Sequence, residues 1–88
     1  MKRNRSLTKK EREYLKEYGE KLRDIRKKAD MSQQKLYTRT GISQSTICYY
    51  EKGEMPITIT NLVKIAEALG YTVSLEIRKG GMETYEQS

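Results

Sequence analysis

Ser32-Gln33-Gln34-Lys35-Leu36-Tyr37-Thr38-Arg39-Thr40-Gly41-Ile42-Ser43-Gln44-Ser45-Thr46-Ile47-Cys48-Tyr49-Tyr50-Glu51-Lys52-Gly53 is the stretch that decides how this chain folds. Ser32 can cap a short helix over Gln33 to Thr40, and Gly41 closes it because glycine tolerates the left-handed backbone at a helix end. Ser43 caps a second helix, Gln44 to Glu51, whose inward residues are Ile47 and Tyr50 and whose stop is Lys52-Gly53. Helices shorter than about 12 residues are marginal in water, so both must be held by packing against neighbours.

Those neighbours are legible on either side. Upstream, Thr8-Lys9-Lys10-Glu11 has capping-box spacing, and Leu15, Tyr18, Leu22, Ile25 and Ala29 then recur every three or four residues along one helix face. Gly19 interrupts that helix at a cost of about 1 kcal/mol relative to Ala. Either a neighbouring backbone approaches closely there or the helix has a weak joint; close packing is the preferred reading. Downstream, Thr58 caps a fourth helix with the apolar face Ile59, Leu62, Ile65, Ala66 and Leu69, stopped by Gly70.

The period then changes from helical to alternating. Tyr71, Val73, Leu75 and Ile77 alternate with Thr72, Ser74, Glu76 and Arg78, which is the pattern of a half-buried strand. A lone strand leaves its backbone groups unpaired, so the expected partner is the same strand of a second chain. Residues 71–78 are therefore expected to dimerise the protein. Residues 1–7 read as a flexible basic arm, 8–70 as the folded domain and 79–88 as a disordered tail.

Composition narrows the function. The 88 residues suffice for one small domain, with 35% hydrophobic and 34% charged residues and no Trp, Phe or His. One cysteine, Cys48, excludes an internal disulfide, and without histidine no Cys/His zinc site forms. No apolar run reaches the roughly 20 residues of a membrane span, and no apolar signal region follows the basic N-terminus, so a soluble, cytoplasmic protein is expected, without membrane association. No cofactor pattern, metal spacing or catalytic constellation stands out, and no enzyme is expected. The formal charge is +6, and residues 1–28 alone carry a net +7 while residues 51–88 carry −2. A positive N-terminal half favours a polyanion, nucleic acid being the common case.

Two short helices across a glycine turn form the layout of a helix-turn-helix. From Tyr18 to Leu69 the chain closely resembles the phage repressors and Cro proteins, the XRE family. The likeness rests on Leu22 to Arg26, Ser32-Gln33, Leu36, Gly41-Ile42-Ser43, Ser45-Thr46-Ile47, Glu51-Lys52-Gly53, Leu62 and Ile65 to Gly70. It implies a mainly α, lambda-repressor-like bundle of four to five helices, here with one C-terminal β-strand, that binds double-stranded DNA.

It also implies roles for individual residues. Gln44 would read a base, since glutamine pairs bidentately with adenine, and Ser45 and Tyr49 share its exposed side. Ser43, Thr46, Gln33, Arg39 and Lys52 would contact phosphates, with Lys35 a further candidate, and Gln33 would also brace Gln44. Ser43 and Thr46 could instead merely cap. Lys2, Arg3 and Arg5 of the arm could follow the backbone or enter a minor groove. Arg26 and Glu51 match a structural pair that aligns the reading helix. Tyr37 and Thr40 depart from the family's small and apolar residues at those places, so Tyr37 must swing outward or the helix crossing must change. Cys48 is expected as a surface thiol.

The function these readings favour is a dimeric repressor on a palindromic operator. The alternative is an antitoxin that binds a toxin protein and represses its own operon, because the C-terminal strand resembles that of HipB-like antitoxins.

Overall fold

A computed structural model of the chain describes residues 6–80. The basic arm residues Lys2, Arg3 and Arg5, and residues 81–88 of the expected tail, lie outside the described residues. Four helices follow in order: α1 Lys9–Lys28, α2 Gln33–Thr40, α3 Gln44–Lys52 and α4 Ile59–Ala68.

Each begins at the cap expected from sequence. Thr8 and Glu11 complete a reciprocal capping box, with Glu11 N–H donating to Thr8 Oγ1 at 3.0 Å and Thr8 N–H to Glu11 Oε1 at 2.9 Å. The hydroxyls of Ser32, Ser43 and Thr58 accept from the backbone of Lys35, Thr46 and Asn61. Each such cap is worth about 1 kcal/mol. Helix α1 ends without glycine: Asp30 adopts the left-handed conformation at φ 55°, with Met31 N–H donating to the carbonyl of Arg26 and Asp30 N–H to that of Lys27. A short polar side chain is among the few that tolerate this conformation.

The core draws on every helix. Leu22 of α1, Leu36 of α2, Ile47 and Tyr50 of α3, and Ile65 of α4 are buried together with Ile42 and Leu69. Leu36, Ile47 and Ile65 are completely enclosed, each contributing about 1.5–3 kcal/mol relative to an exposed side chain. The Tyr50 hydroxyl, carried inward on a buried ring, accepts from Asn61 Nδ2 at 2.8 Å and so ties α3 to α4.

Gly19 is where α1 and α3 touch backbone to backbone. A Cβ there would collide with the carbonyl oxygen of Tyr50 and lie 3.0 Å from that of Glu51. At the other end of the same contact a Cβ on Gly53, already left-handed at φ 72°, would lie 2.9 Å from the Lys16 Cα. The weak-joint reading of Gly19 is thus replaced by the close approach.

Three expected positions differ. Tyr18, Ala29 and Ile59 are exposed rather than inward, Ile59 at 63%: a helical period marks a face without saying how much of it a neighbour covers. Tyr37 is exposed at 47%, so it swings outward. Thr40 holds the turn instead of filling the core: its hydroxyl donates to the Leu36 carbonyl at 2.8 Å and accepts from Ile42 N–H at 3.1 Å. The expected strand is not formed among the described residues. Residues 71–80 belong to no helix or ladder, and Ile77 is fully exposed.

Replacing Gly19 with Ala should destabilise the protein by about 2 kcal/mol, overpacking outweighing the gain in helix propensity. Thermal denaturation should then show Tm lowered by about 8–16 °C. An unchanged Tm would mean that α1 and α3 do not meet as described.

Candidate nucleic-acid interface

Helix α3 is presented by a network of polar contacts beneath it. Arg26 Nε donates to Glu51 Oε2 at 2.7 Å and Arg26 Nη2 to Glu51 Oε1 at 3.0 Å, a two-pronged pair from α1 to the last turn of α3. The side chains are only 12% and 5% exposed. Arg26 Nη1 donates to the Met31 carbonyl at 2.8 Å, and Gln33 Nε2 donates to Glu51 Oε1 at 3.0 Å. One carboxylate thus gathers α1, α2 and α3. Hydrogen bonding to Glu51 is the largest influence on the Arg26 guanidinium; with the carboxylate's charge it outweighs desolvation and raises the pKa above its usual value. The Arg26 guanidinium therefore stays charged at any pH at which the protein is handled.

Above this network the outer side of α3 is open. Gln44, in the first position of the helix, and Ser45 and Tyr49 are exposed, with no hydrogen bond from Gln44 or Tyr49 to the protein among the described residues. Ser43 is engaged: its hydroxyl accepts from Thr46 N–H at 3.2 Å and donates to Thr46 Oγ1 at 2.8 Å. Its proton is committed to the cap. The Thr46 hydroxyl proton is not spent in that bond, which leaves it the better phosphate donor of the two. Gln33 is half-buried and held by Glu51; it makes no hydrogen bond to Gln44 in the free chain. Lys35 and Arg39 are exposed on α2, and Lys52 is exposed at the end of α3.

Sequence reasoning expected the free thiol of Cys48 but missed which basic residues join this face. Cys48 is half-buried and free, in a cleft between α1 and α3 that it shares with Gln33 and Lys52. Arg23 and Lys27 of α1 line the same cleft, so basic residues from outside the two short helices join this face. Their spacing along α1 carried the signal, but only the fold shows which neighbour that side of α1 meets.

A family model described as helix-turn-helix matches residues 22–75 of the chain. The chain belongs to the XRE-type helix-turn-helix family. Among solved structures, this helix-turn-helix protein is similar to the restriction-modification controller protein C.AhdI from Aeromonas hydrophila. That likeness has a TM-score of 0.64 at 29% sequence identity and covers 67% of this chain and 89% of the other. No curated protein sequence matches the chain significantly. The helix-turn-helix protein is a DNA-binding transcriptional regulator. No helix among the described residues is long and apolar enough to cross a membrane.

Removing one member of the buried pair strands the other charge, so Glu51→Ala should destabilise the domain by about 3–5 kcal/mol. The double variant Arg26→Met/Glu51→Met should cost less than the sum of the single changes in urea denaturation, because no charge is then left unpaired. Strict additivity would show that the two side chains do not interact.

Proposed function

We propose that the protein is a sequence-specific repressor that acts as a homodimer on a palindromic operator, with α3 in the major groove. The observation that carries this reading is the free edge of Gln44, Ser45 and Tyr49 on a helix whose other side is locked by Glu51 to Arg26 and Gln33. A base reader must present donors and acceptors that the protein itself does not consume, on a support that does not yield. Gln44 supplies both a donor and an acceptor for adenine. Thr46, Ser43, Gln33, Arg39 and Lys52 surround it as phosphate contacts that set register. The name of the similar solved protein, a controller protein, supports regulation as the outcome of binding. Occupancy of the operator would then exclude polymerase, and the site of action would be the cytoplasm.

The dimer rests on residues 71–78. Tyr71, Leu75 and Ile77 expose large apolar side chains, and Val73 is half-buried. Their backbone has no ladder partner among the described residues, so pairing with the same segment of a second copy would satisfy the backbone and cover the side chains together. Two α3 helices related by a two-fold would meet half-sites about 34–36 Å apart.

On a duplex selected by the parent protein, Gln44→Ala should relax specificity at one position of each half-site, by about 1–3 kcal/mol per base pair read. Lys52→Ala should weaken selected and random duplexes alike and lower the salt slope by about 1. Fluorescence anisotropy against single-base variants of the site checks both. A Gln44→Ala protein that discriminates as the parent does would overturn the assignment of the reader.

Placing charge on this segment, Leu75→Lys/Ile77→Lys, should leave a folded monomer in sedimentation velocity. A dimer that survives the change would remove 71–78 as the interface.

A further inference from the structure

The basic residues of α1 are not scattered around it. At about 100° per residue, Lys9, Arg12, Lys16, Arg23 and Lys27 fall within roughly 60° of arc, whereas Lys10, Lys21 and Lys28 lie on another side. With a rise of about 1.5 Å per residue the stripe runs about 27 Å. All five residues are exposed. Lys9, Arg12 and Lys16 line a cleft with Lys52 and Gly53, and Arg23 and Lys27 line a second cleft that also includes Lys52. Lys52, at the end of α3, therefore joins the stripe to the helix-turn-helix.

These charges are unspent. Among the described residues none of Lys9, Lys16, Arg23, Lys27 and Lys52 makes an ion pair; Arg12 Nη1 donates to the Leu7 carbonyl at 2.6 Å, which leaves its other donors available. The intrahelical ion pair of α1 is on the other side, between Lys21 and Glu17 at 3.8 Å. Glu13 and Glu54 border the first cleft without closing it with an ion pair. Arg12 with Lys16, and Arg23 with Lys27, are like-charge neighbours four apart, an arrangement that destabilises an isolated helix. Lys9 moreover stands at the positive end of the helix dipole. A polyanion laid along the stripe would relieve both penalties.

We propose that this side of α1, continuous with Lys52, is a second DNA surface, a rail that follows the sugar–phosphate backbone flanking the bases read by α3. The proposal rests on the DNA-binding reading of α3 and extends it, since Lys9, Arg12 and Lys16 lie outside the residues matched by the family model. Charge complementarity and continuity with the α3 face identify the occupant. The rail contributes affinity and footprint, without base discrimination, because contacts to the sugar–phosphate backbone carry no sequence information directly.

The test compares two triple variants of the full chain with the same loss of charge. One is Lys9→Gln/Arg12→Gln/Lys16→Gln, on the rail; the other is Lys10→Gln/Lys21→Gln/Lys28→Gln, off it. Anisotropy titrations use the selected duplex and a random duplex of equal length, from about 50 to about 200 mM salt. The rail variant should lose about 2–3 from the slope of log K against log salt, at about 0.9 per phosphate contact, with the ratio of selected to random affinity unchanged. The control variant should lose less than about 1. Equal slopes for the two variants, or an unchanged slope for the rail variant while the parent binds its site, would overturn the rail alone. A parent that binds neither duplex would overturn the reading of α3 and the rail with it.

Discussion

The carboxylate of Glu51 is almost wholly withdrawn from water, and a charge so placed is tolerable only if its partners are fixed in space. Arg26 meets it with two donors and Gln33 with a third, so the end of α3 is tied to the middle of the fold rather than left to fray. The same guanidinium holds the Met31 carbonyl, which fixes the connection into α2. Gly19 allows this geometry, because any larger residue would push α1 away from the carbonyls of Tyr50 and Glu51, and with it Arg26 from the carboxylate. Such a pair contributes little net stability against an apolar replacement; what it supplies is one orientation of the reading helix.

In the proposed reading, affinity and selectivity are carried by different parts of the molecule. Positive charge concentrated in the N-terminal half acts at long range and on any sequence, and salt weakens it. The uncharged groups at the start of α3 act only at contact distance and differ in worth from base to base. Keeping the side chains of Gln44 and Tyr49 free of internal bonds, with Ser45 held only by a long contact to Ser43 and Ser43 committed to the cap, preserves that division. The first can bring the chain to DNA, and the second can then decide where it stays.

Much of this was legible in the sequence because it is local. Thr8, Ser32, Ser43 and Thr58 announce helix starts by residue type and spacing, and all four cap as expected. Gly19 signalled a close approach by its cost in mid-helix. The Arg26–Glu51 pair joins residues 25 apart in sequence; it was reachable only through the family likeness, since nothing local marks it. Other features had no local signal at all. The bond from Asn61 to Tyr50 joins side chains that no periodicity relates. Thr40 looked like a misplaced core residue, yet its hydroxyl bridges a helix end to a turn. Tyr18 and Ile59 keep the helical period but are exposed, because the period does not say how much of a face its neighbour covers. The alternation at 71–77 has the pattern of a strand, but residues 71–80 form no ladder among the described residues.

The central claim is that the buried carboxylate sets the pose from which α3 reads DNA. Glu51→Gln tests it most directly, because it keeps the shape of the side chain and removes the charge. Affinities of parent and variant for the selected duplex and for a random duplex should be compared at one salt concentration, at a temperature where circular dichroism shows both proteins folded. The account predicts that affinity for the random duplex holds while the ratio of selected to random affinity falls about tenfold or more, equivalent to about 1.4 kcal/mol. An unchanged ratio in the folded variant would contradict it.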